Sequence, residues 1–328
     1  MKTYIYPSFF TLIGIVISTC ISAEPPAQEK GPKPVPHMQV IPQPGQQVSF
    51  QRDGQEIARY HFGLDVRRPF IFPVIGPSGR SLTRMGHPHD PEGHSHHYSV
   101  WISHMDVNGL SFWEDRSKGR IIHQRVEKFE DADDHASITT LNHWINETNN
   151  TVLLVERRTT TAQSLPNGEE LLVIDLQIEA KDKTITLGKT PFGLIGVRMA
   201  KTICVNDGGG TIRNSEGAEG EKDIFRKPAK WVDYSGPITA NATEGITLFD
   251  HPSNTNHPSA FHVRSDGWMC ASLTCGGSLI IEPVKPLMLR YGLYIHTGKA
   301  PPEQIQKQWD MFTRTPLPQP WKPVKKKD

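Results

Sequence analysis

Strand-length apolar runs follow one another along this chain, separated by turn residues and almost free of helical periodicity, and few architectures tolerate that pattern. Val48 to Arg52 and Gln55 to Phe62 flank Asp53-Gly54, the dipeptide that favours a tight hairpin because both residues accept positive φ. Ile121 to Phe129, Ala136 to Asn146 and Thr151 to Ala162 follow, the last two turned by Asn149-Asn150. Glu170 to Ala180 comes after Pro166-Asn167-Gly168. Further runs span 194–200, 211–214, 229–234, 245–250, 260–263, 269–274, 278–282 and 287–296. Only Pro301 to Phe312 reads as a helix, with Pro302 in its first turn and Ile305, Gln308, Trp309 and Phe312 on one face. About fifteen short strands with Gly and Pro turns predict an all-β fold, a large multi-stranded antiparallel β-sandwich of the supersandwich kind with one C-terminal helix. No repeat of fixed period is present.

The ends differ in composition from this middle. Lys2, an apolar run from Ile5 to Ile21 and Ser22-Ala23 read as a secretory signal peptide over 1–23, cleaved after Ala23. Cys20 offers a lipoprotein anchor as the minority alternative. A proline-rich linker follows over 24–37, then one β-sandwich domain over 38–315, then a disordered basic tail over 316–328 ending in Lys325-Lys326-Lys327. No later segment reaches the roughly 20 apolar residues that cross a bilayer, so the expectation is an exported protein, periplasmic or extracellular, with no membrane span once mature. A net charge of +1, with Lys and Arg dispersed, gives no reason to expect a nucleic-acid partner. Cleavage would remove Cys20 and leave Cys204, Cys270 and Cys275, so at most one disulfide is expected, and not between Cys270 and Cys275, whose parity differs.

The chemistry concentrates in Met85 to Trp113, which holds six of the fifteen histidines. Two His-x-His pairs, His87/His89 and His94/His96, are followed at once by His97. Alternate residues of an extended chain share a face about 7 Å apart, so either pair can direct two imidazoles at one ion or one substrate oxygen. His94 and His96 are the candidate ligands of a divalent metal. From His96 onward alternation predicts a strand with Val100, Ile102 and His104 on one face. Eight residues separate His96 from His104 by roughly 26 Å, so the chemistry is expected at the His94 to His97 end, where a loop enters the strand.

Four later segments set charged or imidazole groups beside aromatic rings: 217–222, Lys227 to Gly236, Asp250 to Arg264, and Arg290 to Gly298. A sugar ring packs its C–H face on an aromatic and takes directional hydrogen bonds from Asp, Asn, Arg and His. Taken singly, Trp231, Tyr234 and Phe261 read equally well as core, and Asp250-His251-Pro252 as a turn.

Six segments in order carry a resemblance: HSHHYSVWISHMDVNGLSFW, TPFGLIGVRMA, GEKDIFRKPAKWVDYSG, GITLFDHPSN, HPSAFHVRSDG and LRYGLYIHTG. From roughly Val40 to Phe312 the chain resembles the exported bacterial proteins labelled PmoA, a domain of unknown function. Within the first segment His96, His97, Trp101, His104, Asp106, Val107, Asn108 and Gly109 match the family pattern. Gly93, Ser95 and Tyr98 depart from it, standing where the family has Asp, Pro and Arg. The label alludes to a methane-oxygenase subunit that is an integral membrane protein, which the absence of a span after the leader argues against. Copper stays as a second use of the imidazoles, which suit copper as well as zinc.

The resulting expectation is an exported carbohydrate-directed enzyme of the hydrolase, lyase or epimerase type, acting on a small molecule or oligosaccharide. Its candidate catalytic residues are His96, His97, Asp233, Tyr234, His251 and His262. Asp106, Asn108, Trp113, Lys227, Trp231, Asn254, Arg264, Arg290 and His296 are the candidate substrate contacts. The alternative is a copper-, zinc- or glycan-binding protein without turnover. One shared cleft is expected, with His96 or His97 within about 10 Å of at least two of Asp233, His251, His262 and His296.

Overall fold

The computed structural model describes residues 1–3, 34–87, 89–90 and 92–320. Most of the expected leader and linker, and residues 321–328 of the expected tail, lie outside them. The chain divides into two compact units, Met1–Val35 and Pro36–Asp328, and the sheets belong to the second.

Its strands form an antiparallel β-sandwich. One sheet has nine strands in the order Met38–Gln43, Gln47–Arg52, Gln55–His61, Phe70–Val74, Val100–His104, Gly193–Arg198, Trp268–Ser272, Ala260–Arg264 and Lys227–Pro228. The other has eight: Thr211–Asn214, Trp231–Thr239, Ala242–Asp250, Leu287–Thr297, Glu170–Ala180, Thr151–Ser164, His135–Asn146 and Gly119–Asp131. Ile185–Leu187 and Leu279–Ile281 make a small third sheet. Asp53-Gly54, Asn149-Asn150 and Pro166-Asn167-Gly168 turn the chain as their residue types require, with Asp53, Asn150 and Asn167 all at positive φ. The Phe70–Val74 strand is illegible from the sequence because Pro73 reads as a break; its register against Gln55–His61 shifts between Ala58 and Tyr60.

Alternation along the strands sorts side chains into three layers. Ile102, Ile195, Val197 and Val263 meet Val232, Ile246, Leu248 and Leu293 in the core between the sheets. On the outer face of the eight-stranded sheet, Trp231, Phe249 and Tyr294 are covered by Ile305 and Phe312 of the Pro302–Arg314 helix. On the outer face of the nine-stranded sheet, Phe70, Trp101, Trp113, Trp268 and Cys270 form a separate aromatic cluster. At about 1.5–3 kcal/mol for each large side chain removed from water, both outer clusters contribute stability of their own. Both border recesses: Leu171, Val173 and Phe312 of the first line one of about 240 Å³, and Trp268 of the second lines the one that carries imidazoles.

Pro316 accepts a hydrogen bond from Arg290 Nη1 at 3.2 Å, so the first residue of the expected tail is tied to the domain. Cys204, Cys270 and Cys275 are free thiols. Among the described residues no helix is long and apolar enough to cross a membrane.

Candidate functional site

Strand register builds the recess. Arg198 stands opposite Trp268, and Trp268 opposite Arg264, so the three form one row across adjacent strands of the nine-stranded sheet. The next row on that face runs Trp101, Gly196, Cys270, His262. Gly196 is there for space: a Cβ would come within 2.5 Å of Trp268 Cη2 and 3.0 Å of Trp101 Cζ2. Its missing side chain lets two indoles lie against the strand, their centroids 5.1 Å apart. Gly196→Ala is expected to displace Trp268, quenching or shifting tryptophan fluorescence and weakening any ligand held there.

His97 enters from the loop before Val100, its ring parallel to Trp268 (5.3 Å, 8°) and close to parallel with Trp101 (5.6 Å, 28°). His262 meets Trp268 edge-on at 6.4 Å and touches Phe192 and Phe225. His94, His97, His262, Arg198, Arg226 and Arg264 share with these rings the wall of one cavity of about 420 Å³. A larger recess of about 690 Å³ beside 278–288 has no imidazole in its wall.

Both principal imidazoles are held neutral. Burial, then the charge of Arg198, pushes His97 far below its ordinary value of 6.5. Burial, then Arg226 and Arg264, brings His262 down to about 4. His96 falls to about 4 for the same reasons, burial first and then Arg68. Nδ1 of His97 is buried without a hydrogen-bond partner; Nδ1 of His262 is buried and makes no hydrogen bond of good geometry, although the Pro191 backbone lies close enough to that ring to favour its protonated form slightly. Such an atom costs about 1–3 kcal/mol in a folded protein and calls for an explanation beyond packing.

Arg198 adds two more. The side chain is fully buried, and only Nη1 is engaged, by Asp266 Oδ1 at 3.0 Å. Nε and Nη2 are buried and unpaired. Asp266, the only carboxylate in the cavity wall, also takes His87 Nε2 at 3.0 Å. Burial pushes Asp266 up, but Arg198 and His87 outweigh it and hold the group ionised. Arg264 pairs with Glu221 at 3.1 Å and lies over Phe225 with Arg226, whose guanidinium is 4.8 Å from that ring. Nothing in composition isolates Arg198, Arg226 or Trp268. A lone arginine in the apolar run Gly193-Leu194-Ile195-Gly196-Val197-Arg198 is the available signal.

Of the four residues expected near His97, the recess contains His262 alone, which corrects the shared-cleft expectation. Asp233 and His296 share the parity of Trp231 and Tyr294 and lie under the C-terminal helix, on the outer face of the other sheet. His251 contacts Phe312 of that helix. Asp233 is fully buried and fully engaged, by His296 Nε2 (2.8 Å), Arg213 Nη2 (2.7 Å), Thr247 Oγ1 (3.0 Å) and Ser235 Oγ (3.2 Å). Burial pushes its carboxyl up, and His296 and Arg213 more than reverse that. Asp233 is thus a structural ion-pair centre rather than a rim acid. Asp233→Ala strands two cationic partners in a dry layer and is expected to cost about 3–5 kcal/mol in urea denaturation while leaving the recess unchanged.

Other candidates resolve similarly. Tyr234 faces the core, its hydroxyl accepting from Val205 N–H at 3.1 Å and lying 3.1 Å from the Ser265 carbonyl. Asp106 Oδ1 accepts from Gly109 N–H and fixes a turn, and Asn108 Oδ1 accepts from Thr186 N–H and ties that turn to the Ile185–Leu187 strand, each at 2.7 Å. Asn254 ties Asp250 to the Arg290 backbone. Arg290 clasps Asp175 with two nitrogens and reaches the Thr315 carbonyl. Trp231 donates to Gln306 of the helix. Lys227 is exposed on the edge strand beside Arg226. Trp113 is buried against Trp101, Trp268 and His96 and backs the recess. The candidate metal pair, His94 and His96, has ring centroids 5.9 Å apart. His87, His89 and His94 each turn to a separate aspartate, Asp266, Asp207 and Asp90. Among the described residues no group of three or more His, Cys, Asp or Glu side chains is placed to hold an ion, so the donors do not converge as a metal requires.

An antiparallel β-sandwich with an imidazole- and indole-walled recess on one outer face is the class these features define. The chain belongs to the DUF6807 family, a family of unknown function, whose model matches residues 47–310. No curated protein matches it. Among solved structures it is similar to one described as a "putative mutarotase (YeaD)" of Salmonella typhimurium, with 11% identity, a TM-score of 0.32, and coverage of 80% of this chain and 97% of that one. Neither the family model nor this structure carries the methane-oxygenase label of the proteins that the six motifs resemble.

Proposed function

We propose that this domain is an exported carbohydrate-directed enzyme that works by proton transfer through His97 and His262, in the epimerase or lyase manner rather than by glycoside hydrolysis. The observation that carries the reading is a pair of buried, neutral imidazoles with unpaired Nδ1 atoms set around one indole in a single cavity. Burial weakens both rings as bases before substrate binds, so each takes a proton only when a bound substrate brings compensating negative charge beside it. Having taken it, the ring becomes the acid that returns it, and two of them around one indole can serve both directions. Trp268 supplies the apolar face on which a sugar ring packs. Hydrolysis of a glycosidic bond ordinarily uses two carboxyl groups about 5–10 Å apart, and here the single wall carboxylate, Asp266, is already committed to Arg198 and His87. Export rests on the leader-like composition of residues 1–23.

The test is proton exchange. Purified protein is incubated in D2O with a panel of reducing sugars and oligosaccharides while NMR follows deuterium entering carbon positions, epimer formation and new double bonds. Exchange that disappears in His97→Phe supports the reading. Binding without exchange on any member would leave a glycan-binding protein instead.

A further inference from the structure

We infer that the recess is built for an acidic sugar, whose carboxylate is seated by Arg198 together with Arg226 and Arg264; this rests on the carbohydrate-directed reading of the same cavity. Three guanidiniums and one carboxylate line the wall, and that carboxylate engages only Nη1 of Arg198. Arg198 has no exposure, yet keeps Nε and Nη2 unpaired. Those two nitrogens lie on one edge of the planar guanidinium, the edge that meets a carboxylate through two parallel hydrogen bonds. Burying a guanidinium half-satisfied is costly unless an anion completes it. Arg226, exposed and with no acidic partner among the described residues, and Arg264, stacked with it on Phe225, add positive field at the mouth. Arg264 already has Glu221 and Nη1 of Arg198 has Asp266, so what a neutral sugar would leave unmet is the free edge of Arg198 and the charge of Arg226.

The seat also gives the imidazoles something to act on. With the carboxylate held, the C–H bond on its α-carbon is the acidic one. An imidazole takes that proton, and the electron pair moves into the carboxyl group as an enediolate, which Arg198 stabilises. Return of a proton to the opposite face gives the epimer. Departure of a β-oxygen substituent, with the pair forming the C=C bond and the imidazolium passing its proton to the leaving oxygen, gives an unsaturated product and an alcohol or water; either route balances with no further reactant. The bound anion also offsets the charge of Arg198 on His97, strengthening that base once substrate is in place.

Calorimetry on the whole protein at neutral pH decides it, using galacturonate, glucuronate and mannuronate against galactose, glucose and mannose, with acetate as the bare anion. At least one uronate should bind at least tenfold more tightly than its neutral parent and than acetate. Arg226→Gln and Arg264→Gln should each weaken that uronate about three- to tenfold without changing the neutral sugars. Arg198→Lys, which keeps charge but loses the planar edge, should weaken it further, with thermal melting confirming the fold. Neutral sugars bound as tightly as acids, or acetate bound as tightly as uronates, would overturn the inference. Deuterium exchange on neutral sugars without acid preference would overturn it too while leaving the enzyme reading intact. Preferred uronate binding with no exchange would support the seat and remove the enzyme.

Discussion

Between pH 6.5 and 4 the folded domain is expected to lose stability steeply, because it buries imidazoles that refuse protons the unfolded chain accepts. His104 shows why. Its Nδ1 accepts from the Asp106 N–H at 3.1 Å and its Nε2 faces Thr274 Oγ1 at 2.9 Å, so a second ring proton would confront a donor. Burial brings His104 down to about 4 from 6.5, and His262 likewise. A folded-state value below the unfolded one means stability is fully present above pH 6.5 and lost as pH falls towards 4. Each of these two buried groups contributes roughly 3 kcal/mol to that loss, and His97 adds to it in the same direction. Glu170, which burial pushes up to about 8, and His296, held up by Asp233 against the effect of burial, oppose it. Urea titrations at several pH values measure the net slope. His104→Asn, whose amide oxygen can keep the bond from the Asp106 N–H while giving up the one to Thr274, isolates one contribution: whatever its starting stability, it should fall by roughly 3 kcal/mol less than the wild type over this window. Parallel curves would mean that His104 is not the proton-refusing group described.

His97→Phe should reduce turnover on any accepted sugar about 10²- to 10⁴-fold while leaving the protein as stable as before or slightly more so. Phenylalanine keeps a flat ring of similar size against Trp268 and Trp101 and removes both nitrogens, one of which is buried without a partner. Deleting an unsatisfied polar atom relieves about 1–3 kcal/mol of desolvation, so a raised melting temperature beside lost turnover would mark a group retained for chemistry. His262→Phe should behave alike, since its ring already touches Phe192 and Phe225. Full activity in both variants would sink the proton-transfer mechanism. Lost activity with a collapsed melting temperature would instead make His97 a packing residue.

Which parts of this were legible in advance follows from the range of the forces involved. The strands, their hairpins at Asp53-Gly54 and Asn149-Asn150 and the lone C-terminal helix are local: alternation, turn-forming residues and Pro302 act over a few neighbours, and the sandwich follows from their number. The first-half histidines, Trp113, His262 and Arg264 were equally visible, because a run of imidazoles or an arginine beside aromatics stands out in any window. What alternation could not say was which of the two outer faces a strand would turn to the imidazole-lined recess. Asp233 and His296 end polar-aromatic segments much like the one holding His262, yet strand order carries them to the face that the helix seals, where each is tied up by a partner. Arg198 and Trp268 carry no local signal because their roles exist only across strands. Arg198 is an isolated charge in an apolar run until the register sets it opposite Trp268 and beside Asp266, with Gly196 keeping the space clear. The sequence by itself determined the elements and the chemistry they could carry. Which groups meet, and which are left buried without partners, was decided by the pairing of strands more than 60 residues apart, a contact that no local signal encodes.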